Sequence, residues 1–271
     1  MSERMSLKDK FPFKIGTTSY IIDGGILENT LWLADKVDEM QIVLFETPGF
    51  SNIPSEADIK TLRRAALDCG MSFTVHLPCD LEIGSPDKGL RELSIERLRR
   101  TVGLTYPLEP ICWVLHISLP GEGDSERACL ERLSGSMAVV TRCFNSPRDI
   151  AIENVHPNFT IEPPIIEEFD TSVCIDAGHL LFFESDVWAH LDKWLPRTRN
   201  IHLHGVREGM YGVQYGDHAS LDHLPGGFLE RLFAQAALAA KEQELQTITM
   251  EIFGLEDFER SAEAVSLTVI R

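Results

Sequence analysis

Six apolar runs in this chain each carry, at or near their ends, a side chain that can bind a metal. They read Phe73-Thr-Val-His76, Val114-Leu-His116, Ile150-Ala-Ile-Glu153, Val173-Cys-Ile-Asp176-Ala-Gly-His179, Asn200-Ile-His202-Leu-His204 and Ile248-Thr-Met-Glu251. A buried strand normally ends in whatever its loop tolerates. Brought to one rim, these ends would set three or more imidazoles around three carboxylates. Glu153 and Glu251 make the strongest case. Each is a carboxylate in an apolar run, where burial without a partner costs several kcal/mol. A single His76 or His116 reads more readily as a hydrogen-bonded core residue than as a ligand. Donors recurring at the same place in successive units point instead to a metal site. Mixed imidazole and carboxylate ligation suits Zn, Mn, Fe or Co, one to three ions per chain, and argues against Ca or Mg alone.

The elements that must position these residues alternate. Strands are predicted at Lys14–Tyr20, Gln41–Glu46, Met71–Leu77, Ile111–Ile117, Asp149–Val155, Ser172–Asp176, Asn200–Leu203 and Thr247–Phe253. Helical sequence lies between them, at 29–37, 55–69, 88–102, 125–144, 163–169, 186–195 and 227–243, with a last helix after Leu255. The strands are continuous apolar runs, as expected for parallel strands covered on both faces. The pattern predicts an α/β fold, a single (β/α)8 TIM barrel over residues 11–271 behind a polar tail at 1–10. A doubly wound open sheet is the alternative, but no Gly-x-Gly-x-x-Gly follows the first strand. In such a barrel, chemistry is carried at the C-terminal strand ends.

Composition narrows the partners. The 271 residues carry 42 acidic and 25 basic side chains, a net charge of −17. That charge argues against nucleic acid, whose binding draws on phosphate neutralisation, and for a small-molecule substrate. The basic cluster Arg97, Arg99 and Arg100 reads as a solvated helix face. Six cysteines without a Cys-x-x-Cys pair predict reduced thiols in a reducing compartment. No apolar run reaches the roughly 18–20 residues of a membrane span, and the first ten residues lack the apolar stretch of a secretory signal. The expectation is a cytoplasmic protein with no membrane partner; a homo-oligomer is compatible with the sequence.

The order Glu153, Asp176, His202, Glu251 resembles the metal quartet of the xylose-isomerase-like TIM-barrel family. His76, His116 and His179 resemble the additional ligands of its trinuclear branch, the endonuclease-four class of abasic-site nucleases. That class carries an Asp-x-His after the seventh strand; here the segment offers Asp217-His218 and Asp222-His223, of which Asp217 and His218 are favoured as ligands. Where the nucleases carry Asn-Asp, this chain has His204-Gly205, so His204 either packs outward or donates a proton to substrate. The segments Phe11–Tyr20, Val43–Glu46 and Asp217–Leu221 are similar to cobamide-remodelling phosphodiesterases, which cut the nucleotide loop of corrinoids.

The resemblance implies two chemistries. With the quartet alone, one metal would hold a hydroxy-ketone while Glu153 and Glu251 move protons on its opposite faces, as in a sugar isomerase or epimerase. With the extra histidines, two or three metals would act on a phosphodiester. The surplus ligands favour the second, and the acidic charge favours a small metabolite over DNA, a cobamide being the substrate the resemblance suggests. Around the mouth, Tyr20 and Arg207 are candidates for substrate phosphate or hydroxyls; for Arg207 the alternative is a surface ion pair with Glu208. Glu46 either contacts substrate or caps the next turn. The Gly-rich segment 205–227, with Tyr211 and Tyr215, is read as a lid over a bulky substrate.

Overall fold

The computed structural model describes residues 6–47, 49–118, 120–157, 159–207, 216–242 and 245–269. Eight parallel strands close a barrel: β1 (Lys14–Thr18), β2 (Glu39–Val43), β5 (Ser72–His76), β6 (Trp113–Leu115), β7 (Ile150–Glu153), β8 (Ser172–Asp176), β9 (Thr198–Leu203) and β12 (Thr247–Met250). The expected (β/α)8 architecture is therefore present. Two antiparallel ribbons extend it, β3 (Glu46–Thr47) with β4 (Phe50–Ser51), and β10 (Gly205–Arg207) with β11 (Gly216–Ala219). Around the barrel run α1 (Ile26–Leu33), α2 (Glu56–Cys69), α3 (Lys88–Thr105), α4 (Glu126–Val140), α5 (Glu162–Phe169), α6 (Ala177–Phe182), α7 (Val187–Trp194), α8 (Phe228–Lys241) and α9 (Leu255–Val269).

Local chemistry sets the helix starts. Ser55 caps α2: its Oγ accepts from the Asp58 N–H at 3.2 Å, and the Asp58 carboxylate accepts from the Ser55 N–H at 2.8 Å, a capping box in Asp form. Asp176 caps α6 in the same way, its carboxylate accepting from the His179 N–H at 2.6 Å. The short α6 has no counterpart among the predicted helices; its first turn is what brings His179 back beside Asp176.

Most of the core lies between the strands' outer faces and the helices. A second, small cluster of Cys112, Val114, Ala151 and Cys174 fills one side of the barrel interior. The other side is polar: Glu39, Gln41, Thr74, Asn200 and Thr249 are all buried there. This follows from a correction to β2, which begins at Glu39, two residues before its predicted start. Its inward-facing side chains therefore include a carboxyl and an amide. Leu7 is also buried, its N–H donating to the Lys36 carbonyl at 2.7 Å, and Lys8 Nζ donates to the Ala34 and Cys69 carbonyls. Residues 6–10, expected within the polar tail, thus pack on the barrel.

Gly16 of β1 is where the interior is tightest. A Cβ there would lie 1.8 Å from Glu39 Oε2 and 2.7 Å from the Glu39 carbonyl oxygen. The carboxyl could shift, but the backbone oxygen belongs to a paired strand. Gly16→Ala is expected to cost about 3 kcal/mol, the upper end of ordinary overpacking, read as a lower midpoint in urea unfolding at unchanged slope.

Candidate metal centre

The C-terminal strand ends converge as the sequence suggests. Ligand atoms of Glu153, Asp176, His202 and Glu251 lie within 4.8 Å of one another, and all four residues are buried. His202 Nδ1 is 3.0 Å from Glu153 Oε1 and 3.2 Å from Glu251 Oε2. The opposite oxygen of Glu153 faces a second group: Oε2 is 3.0 Å from His116 Nε2 and 3.3 Å from His76 Nε2. His76 Nδ1 is 2.8 Å from the Leu77 carbonyl, a contact that places the proton on Nδ1 and leaves Nε2 as the donor nitrogen.

A third group gathers His179, His204 and His218. His218 Nδ1 lies 2.9 Å from the Glu251 carbonyl, which directs its Nε2 to the group. Its backbone is left-handed, at φ 52°, a conformation uncommon for a residue with a side chain. His218 lies in β11, and its N–H donates to His204 Nδ1 at 3.0 Å. His204 itself is fully buried, with Nε2 3.3 Å from Asp176 Oδ1. Neither an outward packing role nor an exposed proton donor fits that position. Its ring fits because residue 178 is glycine: a Cβ there would stand 2.4 Å from three ring atoms of His204.

Carboxylates and imidazoles hold one another's charge in the cluster. Burial pushes the carboxyls of Glu153 and Asp176 up, but neighbouring imidazoles outweigh it, His202 and His116 for the first, His179 and His204 for the second; both stay ionised, held below the usual range. Burial resists charge on His204, yet Asp176 raises it to about 9. Asp176 Oδ2, His179 Nδ1 and His204 Nε2 are buried without a hydrogen-bond partner, which is costly unless something else satisfies them. The Nε2 atoms of His76 and His116 stand 3.1 Å apart. Two imidazoles sharing one tetrahedral ion at about 2.0–2.1 Å would stand roughly 3.3 Å apart. The donor set therefore fits divalent transition ions, with Glu153 common to two positions.

Other predicted residues fall outside the cluster. Asp217 is half exposed, its Oδ2 3.9 Å from His218 Nε2, so the favoured pair delivers its histidine but not its carboxylate to the donor group. Asp222 is committed to Arg260 on α9. The Glu46 carboxylate, expected at the mouth, is held by Arg97 and Arg100 of α3; of those arginines, expected to be solvated, Arg97 also holds Asp80 at 2.8 Å. Arg207 pairs with Asp257 of α9 at 2.6 Å; Glu208 lies outside the described residues. The Tyr20 hydroxyl accepts from Asn52 Nδ2 at 2.9 Å, and its ring packs near Phe45 and Phe253. Tyr211 and Tyr215, and with them the centre of the expected lid, lie outside the described residues.

Sequence reading missed the residues behind the ligands. Asn154 pins the end of β8, bonding both the Asp176 N–H and carbonyl at 2.8 and 2.9 Å. Glu39 lies deeper in the barrel. Burial pushes its carboxyl from the ordinary 4.5 to about 7, against the lowering effect of hydrogen bonds from Thr74 and Thr249. The folded state thus holds this proton more tightly than the unfolded chain. Its contribution is present below about pH 4.5 and is lost as pH rises through 7, a fall of about 3 kcal/mol. Glu39→Gln is expected to remove that fall, so that its stability relative to wild type rises across this window in urea titrations at stepped pH.

Residues 36–254 match the family model described as xylose isomerase-like TIM barrel. The chain belongs to that family. No curated protein matches it. Similar solved structures include a D-tagatose 3-epimerase-like protein, at TM-score 0.76 and 18% identity over 95% of this chain and 97% of that one. Another is endonuclease IV from Thermus thermophilus, at TM-score 0.70 and 19% identity over 95% and 99%. A third is 3-keto-D-glucoside 4-epimerase from E. coli, at TM-score 0.69 and 15% identity over 96% and 100%. At these identities the likeness speaks to the fold.

Proposed function

We propose that this xylose-isomerase-like barrel is a divalent-metal-dependent hydrolase of a small phosphodiester. One observation carries the reading: the carboxylate of Glu153 is shared, one oxygen toward His202 in the quartet and the other toward His76 and His116. Proton shuttling on a sugar needs the quartet alone and leaves that second donor pair without a task. Ions held at both positions would withdraw charge from the phosphoryl oxygens and supply a nucleophilic water at neutral pH.

The protein's own residues set the approach. His116, His179 and His218 keep 24%, 14% and 26% of their side chains exposed, whereas His76, His202 and His204 are buried. Substrate thus meets the cluster along the edge formed by the three exposed rings. Arg207 and the α3 arginines Arg97 and Arg100 are paired to carboxylates, so ions held by the imidazoles would supply the charge that neutralises the phosphate. Water adds to phosphorus, one ester bond breaks, and a phosphomonoester and an alcohol leave. Within this class, the resemblance of residues 11–20, 43–46 and 217–221 supports a cobamide nucleotide loop as substrate.

The second reading is sugar or sugar-phosphate epimerisation. The comparisons favour it: most of the named structural neighbours are sugar epimerases or isomerases. The two readings separate cleanly. Metal-loaded protein given a cobamide or a simple phosphodiester is expected to produce a phosphomonoester signal in 31P NMR. Inertness toward both, with solvent deuterium entering a ketose, would transfer the assignment to the epimerase.

A further inference from the structure

Beneath the ligands runs a chain of buried polar groups that no step above uses. Gln41 stands at its centre. Its Nε2 donates to Glu251 Oε1 at 3.4 Å; its Oε1 lies 2.7 Å from His202 Nε2 and accepts from Asn200 Nδ2 at 3.3 Å. Thr249 Oγ1 lies 3.1 Å from Asn200 Oδ1 and 3.0 Å from Glu39 Oε2. Glu39 Oε1 accepts from the Thr74 N–H at 3.1 Å and from the Thr74 hydroxyl. All of these residues are buried.

The donors and acceptors in this chain fix one direction. The Glu251 carboxylate is acceptor-only, so the amide of Gln41 must present its NH2 there. Its carbonyl then faces His202, and only a protonated Nε2 can meet it. The same carbonyl takes the Asn200 NH2, which turns Asn200 Oδ1 toward the Thr249 hydroxyl. That hydroxyl has one proton to give, with Asn200 Oδ1 at 3.1 Å and Glu39 Oε2 at 3.0 Å as its acceptors.

We infer that Gln41 is a positioning residue that hydrogen-bonds Glu251 and holds His202 with a proton on Nε2, so that Nδ1 is the nitrogen left to bind an ion in the quartet. Nδ1 is the nitrogen that faces Glu153 and Glu251, at 3.0 and 3.2 Å. Were the ring to carry its proton on Nδ1 alone, it would present a hydrogen where the quartet needs a lone pair. This inference rests on the metal reading for its consequence, but not for its geometry.

Long-range 1H–15N correlation of the imidazoles tests it, with the His202 signal assigned by its loss in His202→Gln. Nε2 is expected to carry its proton both in metal-free and in zinc-loaded protein. A bare Nε2 in either state would overturn the inference. Gln41→Met, close in volume and lacking both amide contacts, is expected to weaken zinc binding 10- to 100-fold, roughly the usual cost of losing a group that orients a ligand. Unchanged zinc affinity in a folded Gln41→Met protein would also overturn it. A wild type that retains the Nε2 proton yet shows no phosphodiester hydrolysis would defeat the proposed function and leave this inference standing.

Discussion

Glu153→Gln is expected to release two metal ions from one substitution. The amide keeps the volume and the strand register but replaces an anionic ligand with a neutral one. Both groups that share Glu153 lose their common donor: His76 and His116 on one side, His202 with Asp176 and Glu251 on the other. Phosphodiester hydrolysis should fall by at least about 10³-fold. That corresponds to about 4 kcal/mol of barrier, in line with the several kcal/mol that metal polarisation supplies. Metal content by plasma mass spectrometry and turnover by 31P NMR read the two effects separately. A variant with wild-type metal content and rate would show that Glu153 is a structural carboxylate only.

His76→Ala combined with His116→Ala asks a narrower question. The pair removes one donor group and leaves Glu153, Asp176, His202 and Glu251 in place. One ion should be lost and the quartet's ion kept, with hydrolysis falling about 10²- to 10³-fold, the scale of removing one charge-stabilising contact. Ketose exchange, which needs only the quartet, would be unaffected by the same change. A double variant that hydrolyses phosphodiesters at the wild-type rate would remove the reason for preferring hydrolysis over epimerisation.

The residues that could be read in sequence share a physical reason. Parallel barrel strands are buried on both faces, so a carboxylate or imidazole interrupting an apolar run has to be explained by what it meets. Glu153, Asp176, His202 and Glu251 stood out for that reason. His218 and His204 were harder. Their positions depend on a ribbon, β10 with β11, whose sequence is Gly-rich and lacks a strand signature. Glu46 was misjudged because Arg97 and Arg100 of α3, read as a solvated face, take its carboxylate. Glu39 was hidden by the strand boundary: with β2 started at residue 41 it falls in a loop, whereas β2 begins at Glu39 and carries it into the barrel on the same face as Gln41.

The most direct test of the central claim is anomalous scattering from crystals of metal-loaded protein, with the peaks counted by position. One ion is expected among Glu153, Asp176, His202 and Glu251, and a second among Glu153, His76 and His116. A single peak in the quartet, with His76 and His116 hydrogen-bonded and metal-free at saturating metal, would contradict the shared-carboxylate centre and the hydrolysis built on it.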